Sequence, residues 1–202
     1  MAQIKSTMEM VLARAERLCA ETTTDTNSEA LQHGMRVGAS FLQGDNVDLA
    51  APISNYSPLE AAAFCQGLLR TFFRHVVLPR EEGQPWEGAL QGILALAKVT
   101  PTQTNEVGQL QGIIAEVRNI LSRYMQHRQQ LEKQLEENFA MQTAHLQQSL
   151  AQQTGMKMKF SPRQHPKFNE EWQRVQTQLN DQYLHALEQY KQAICSLLGL
   201  SL

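Results

Sequence analysis

Only three cysteines occur in the 202 residues, Cys19, Cys65 and Cys195, and no two of them lie close together. An odd number without paired spacing argues against a disulfide framework and a zinc ribbon, and it reads as reduced thiols in a cytosol. Prolines number 7, glycines 11, and aromatic residues make up 6% of the chain. Strands draw on β-branched and aromatic residues and tight turns on Gly and Pro, so this shortage disfavours sheets. An excess of one charge sign is also missing: the net charge is −2 and the isoelectric point about 6.3. That balance argues against a surface given over to nucleic acid or membrane. The longest uncharged apolar stretches, 61–69 and 88–97, fall well short of the roughly 20 residues a bilayer span requires. Met1-Ala2-Gln3-Ile4-Lys5 does not lead from a basic segment into an apolar one, so a cytoplasmic protein is expected.

Signatures of catalysis are absent as well. The chain carries no phosphate-cradling glycine loop, no Gly-x-Ser-x-Gly elbow and no His-Glu-x-x-His. Without strands, a nucleotide site of the α/β kind has nothing to stand on. A non-enzymatic protein without cofactor is the expectation.

What the chain has is helix. Hydrophobic residues make up 42%, charged residues 19%, and there are 25 glutamines. Ile4, Met8, Val11, Leu12, Ala15 and Leu18 fall on one face of a helix over 3–20. After a polar linker at 22–28, Thr26 and Glu29 have the spacing of a capping box, opening a helix to about Gln43. Gly34 and Gly38, one turn apart, would let a neighbouring helix come close, and Gly44 is placed to cap the end. Residues 44–56 read as a loop. Ser57, Pro58 and Glu60 then occupy the N-cap, N1 and N3 positions of a helix that is apolar almost all round and stops at Leu78-Pro79. A helix of that kind is the buried centre of a bundle. Trp86 to Val99 reads as a further short helix.

Thr100, Pro101 and Gln103 repeat the start signature, and no proline follows until Pro162. Val107, Leu110, Ile114, Val117, Leu121, Tyr124, Leu131 and Leu135 alternate steps of three and four, with Arg128 in one slot, the pattern of a coiled coil. Beyond Leu135 the phase slips, with Phe139, Leu146 and Leu150 continuing as a stutter would. Continuous from 101 to 153, such a helix would be about 80 Å long. Gly155 ends it. His165-Pro166 opens a last helix carrying Phe168, Trp172, Val175, Leu179, Tyr183, Leu187, Tyr190, Ile194 and Leu198, closed by Gly199. The two read as an antiparallel hairpin.

The hairpin's tip, 155–167, carries a net charge of +4 where the whole chain carries −2. There Met156, Met158 and Phe160 alternate with Lys157 and Lys159, followed by Arg163. Such alternation suits docking on an acidic partner, edge pairing, or contact with anionic lipid or nucleic acid. The plainer alternative is a solvated loop whose methionines cap the hairpin's own core. Trp172, near the tip, either packs on the long helix or stays partly exposed for a partner. Asp181, His185 and Glu188 have ligand spacing on one helix face, yet that face lies opposite Leu179, Tyr183 and Leu187 and reads as surface. Cys65 has His75 ten residues on, but a thiol among alanines and phenylalanines is expected to behave as a small hydrophobe. Arg70, Arg74 and His75 have the chemistry of an anion pocket, but read rather as an exposed edge or as partners of Glu81 and Glu82, and Trp86 reads as cover for the core's rim.

The expected fold class is all-α, with a small helical core over 1–100 and a long antiparallel coiled-coil hairpin over 101–202. The expected function is a structural or adaptor protein that pairs through its apolar seam with a second copy or a helical partner. Met156, Lys157, Met158, Lys159, Phe160, Arg163 and Trp172 are the expected partner-binding residues. A small-ligand or metal-binding bundle is the alternative, and a nucleic-acid or membrane-surface role ranks below both.

Overall fold

The structure, a computed structural model, describes residues 26–45, 47–79, 86–100, 104–154, 161, 163 and 166–201. The expected helix over 3–20 lies outside them. Among the described residues all regular structure is helical. Helix α1 covers residues 26–42, α2 Pro58–His75, α3 Glu87–Val99, α4 Thr104–Thr154 and α5 Pro166–Leu198, with a 3-10 turn at Ile53–Asn55 ahead of α2.

Local chemistry sets several of these ends. Gly44, at φ +91°, terminates α1: the Gly44 N–H donates to Phe41 O and the Asp45 N–H to Ser40 O. The same paired bonds close α5, from Gly199 (φ +63°) to Ser196 and from Leu200 to Cys195. In both, a residue in the left-handed region turns the chain so that two orphan carbonyls are satisfied, which glycine does without a Cβ penalty. At α2 the capping box is complete. Ser57 Oγ accepts from the Glu60 N–H, and Glu60 Oε2 accepts from the Ser57 N–H at 2.9 Å. These bonds favour the Glu60 carboxylate and lower its pKa. Thr100 acts at the end of α3, its hydroxyl within reach of Leu96 O and Ala97 O.

The chain divides into two compact units, one from the described residues of Met1–Val77, Pro85–Gly112 and Ala193–Leu202, the other from those of Leu78–Gln84 and Ile113–Gln192. Both long helices thus contribute to each.

In the first unit α2 is the centre. Phe64, Leu68, Leu69 and Phe72 are wholly buried, as are Ala89, Leu90, Ile93 and Leu96 of α3 and Leu110 of α4. Trp86 is buried more deeply than a rim residue, at 1% exposure. Helices α1 and α2 approach so closely that a Cβ on Gly34 would lie 2.1 Å from Phe64 O, and one on Gly67 2.1 Å from Leu31 O. Gly38 faces Thr71 in the same crossing. Gly92 of α3 receives the Phe72 ring, which would stand 2.6 Å from an added Cβ.

In the second unit the stripes read from the sequence are the buried ones. Ile114, Val117, Leu121, Tyr124 and Phe139 of α4 are closed off, as are Phe168, Leu179 and Leu187 of α5, while Arg128, Leu131 and Leu135 are half-buried. Thr143 extends the stripe after Phe139, at 5% exposure. Its hydroxyl donates to Phe139 O at 2.6 Å, so the side chain faces the seam with its polar demand met by its own helix.

Candidate functional site

The pairing of α4 with α5 inside the second unit is fixed by side chains far apart in sequence. The Tyr124 and Tyr183 rings meet edge-on at 5.4 Å, and those of Phe139 and Phe168 at 5.5 Å. Rising numbers on α4 meet falling numbers on α5, so the helices run antiparallel. The 15 residues from Tyr124 to Phe139 match the 15 from Phe168 to Tyr183, so one register holds between these contacts.

Polar groups cluster midway. The Tyr124 hydroxyl donates to Asn180 Oδ1 at 2.8 Å, and the Tyr183 hydroxyl lies 3.0 Å from His127 Nδ1. Burial raises the Tyr124 pKa, with the Arg128 charge acting in the opposite direction. Tyr124 is 3% exposed, so its hydroxyl requires a partner inside the helix pair.

Of the expected partner-binding residues, Met156, Lys157, Met158, Lys159 and Phe160 lie outside the described residues. Arg163 is described, and its guanidinium is engaged: it pairs with Glu136 through Nε and with Glu132 through Nη2 at 3.1 Å. The hydrogen bond to Glu136, and then the charges of both glutamates, raise its pKa. Two carboxylates one turn apart on α4 thus hold a cation of the connecting segment. Trp172 is half-buried, between its two expected fates. Near this end a groove of about 640 Å³ is lined by Leu135, Asn138, Phe139, Met141, Gln142, Lys167 and Glu171. Met141 stands 62% exposed there.

The remaining candidates fall where surface or core chemistry puts them. Asp181, His185 and Glu188 are exposed, with His185 Nε2 3.2 Å from the Gln189 amide. Among the described residues no group of three or more His, Cys, Asp or Glu side chains is arranged to hold a metal ion. Arg70, Arg74 and His75 are exposed. Cys65 is buried, and desolvation pushes its thiol up to about 11, away from the thiolate that nucleophilic chemistry needs. No described helix is long and apolar enough to cross a membrane.

One arrangement has no sequence signal. His33 of α1 meets the Tyr56 hydroxyl at 2.6 Å through Nδ1, and both rings pack on Phe64 at 5.4 and 5.6 Å. The pair ties the loop before α2 to the α1–α2 crossing. Its partners are 23 residues apart, so neither periodicity nor spacing marks them.

No curated protein and no solved structure matches the chain. A family model does, over residues 50–196, a span that takes in α2, α3, α4 and most of α5. The chain therefore belongs to the family of unknown function DUF6657.

Proposed function

We propose that the protein is a non-enzymatic helical structural or adaptor protein that self-associates through the α4–α5 pair and recognises a protein partner by packing helix faces. The observation that carries this reading is apolar surface left open along that pair. Leu184 is 48% exposed and Met141 62%, while Leu131, Leu135, Trp172, Val175 and Tyr190 are only half-buried. Two helices cover each other's stripe from one side; a second pair, completing an antiparallel coiled-coil bundle, would cover it from the other. Pairing of this kind requires no reactive group. That accords with a buried, protonated Cys65 and with buried Thr71 and Thr143 hydroxyls that donate to their own helices.

A small-ligand bundle, the competing reading, requires polar groups converging inside a core. Among the described residues of the first unit the buried side chains are aromatic and aliphatic apart from Cys65 and Thr71, and the Thr71 hydroxyl donates to Gly67 O of its own helix.

Leu184→Glu and Met141→Glu place a charge on each open position without touching the buried stripe. Each is expected to retain helical circular dichroism and to lower the mass measured by light scattering from that of two chains to one. Unchanged mass in both would remove these faces from the proposal. The basic tip would supply a secondary contact, so Lys157→Glu with Lys159→Glu is expected to weaken partner capture while sparing the fold.

A further inference from the structure

We infer that the Tyr124–Asn180 hydrogen bond, with the Tyr183–His127 pair beside it, is a register lock: it selects the observed alignment of α4 against α5 over one slipped by seven residues that apolar burial alone would accept. The apolar stripes set the alternatives. On α4 they run Leu121, Tyr124, Arg128, Leu131, Leu135, Phe139; on α5, Phe168, Trp172, Val175, Leu179, Tyr183, Leu187, Tyr190. Steps of three and four on both helices mean that sliding one past the other by seven residues returns apolar side chains to apolar neighbours. If α5 moved by seven, Tyr190 would replace Tyr183 opposite Tyr124. Val175 would replace Phe168 opposite Phe139, and Leu179 would arrive opposite Leu135. The hydrophobic content of the seam changes little.

The polar content does not survive the slide. Leu187 would stand where Asn180 now accepts the Tyr124 hydroxyl, and Asn180 would face Leu131. Sliding the other way puts Asn180 opposite Val117, brings Gln176 to the place of Tyr183 and carries Phe168 away from Phe139, an alignment that the apolar stripes themselves reject. A buried hydroxyl left without a partner costs more than the bond itself is worth, so one hydrogen bond in a seam discriminates between alignments. A single polar residue in an otherwise apolar helix pair is known to set register in this way, at some expense in stability.

The test reads the alignment directly in the full chain. With the three native cysteines replaced by alanine, spin labels go on the exposed positions Arg123→Cys and Arg174→Cys. In the observed register, residue 184 lies opposite residue 123, so the labels are offset by ten residues along the axis. A slip of seven changes that offset by about 10 Å, at 1.5 Å per residue. Pulsed electron–electron resonance on the otherwise native chain is expected to give one distance. Asn180→Leu, which keeps the seam apolar and removes the acceptor, is expected to give a second population at longer distance, displaced by up to about 10 Å. Asn180→Asp, which keeps an acceptor, is expected to restore the single distance. If Asn180→Leu loses its helical circular dichroism, Tyr124→Phe decides by the same criterion, since it removes one oxygen and leaves the ring contact with Tyr183. A single native distance in the folded acceptor-free variant overturns the lock.

Discussion

Replacing Gly67 by alanine tests the account of the first unit most sharply, because an added methyl has nowhere to go. The new Cβ would lie 2.1 Å from Leu31 O, 2.9 Å from Met35 N and 3.1 Å from Leu31 C. All three are backbone atoms of α1, so no rotamer change relieves the clash. The helices must part by about 1 Å at the crossing to reach even the tightest contact that Cβ atoms make, as overpacked interiors do when forced. That movement loosens Phe64 and Leu68, both at 0% exposure. Overpacking of this kind costs ~3 kcal/mol at its upper end. Alanine's better helix propensity returns about 1 kcal/mol, leaving an expected net loss of about 2 kcal/mol. Urea unfolding followed by circular dichroism measures it as a lowered midpoint at unchanged slope. Gly112→Ala is the internal comparison: nothing lies within 4 Å of its added Cβ, and it is expected to raise stability by ~0.5–1 kcal/mol. A Gly67→Ala midpoint at or above wild type would refute the close crossing of α1 and α2.

Gly92→Ala drives a methyl to 2.6 Å from the Phe72 ring, itself fully buried, and is expected to cost ~1–3 kcal/mol in the same assay. Ser57→Ala removes one half of the α2 capping box and is expected to cost about 1 kcal/mol, while Ser57→Asp, which can still accept from the Glu60 N–H, recovers most of it. Cys65 carries a thiol pKa raised from 9.0 to about 11. The neutral thiol is therefore favoured in the fold, a contribution fully present below pH 9 and lost as pH rises through 11. Unfolding is expected to release a proton between those values, and Cys65→Ala to flatten the fall in stability there; an unchanged alkaline profile in the variant refutes the assignment. Alkylation of Cys65 at pH 8 is likewise expected to wait for unfolding, which peptide mapping after a timed iodoacetamide pulse detects.

The features legible in the sequence are those whose causes are local. Ser57, Pro58 and Glu60 mark the start of α2 because a capping box is closed within four residues, and Gly44 and Gly199 mark ends because only the backbone conformation of one residue is at stake. The stripes on α4 and α5 are equally plain, since burial along a helix repeats at the spacing of its turns. Thr143 escapes that reading because its residue type is polar, although a hydroxyl bonded to Phe139 O leaves a methyl to pack.

What the sequence hides are pairs brought together by the fold. Gly34 announces a close approach, but its counterpart Gly67 sits in a helix whose apolar character draws attention to the large side chains instead. Arg163 reads as one cation of a basic tip until the path of the chain carries it to Glu132 and Glu136, 31 and 27 residues earlier. Tyr124 reads as an ordinary seam residue. Its hydroxyl acquires meaning only when Asn180, 56 residues away, is found opposite.

Sedimentation equilibrium of the purified chain over a range of concentrations tests self-association most directly, since it yields mass without reference to shape. A mass approaching twice 22.8 kDa is expected as concentration rises, with a return towards 22.8 kDa in Leu184→Glu. A wild-type mass of 22.8 kDa at every concentration would contradict self-association and leave the open faces of α4 and α5 to some other partner.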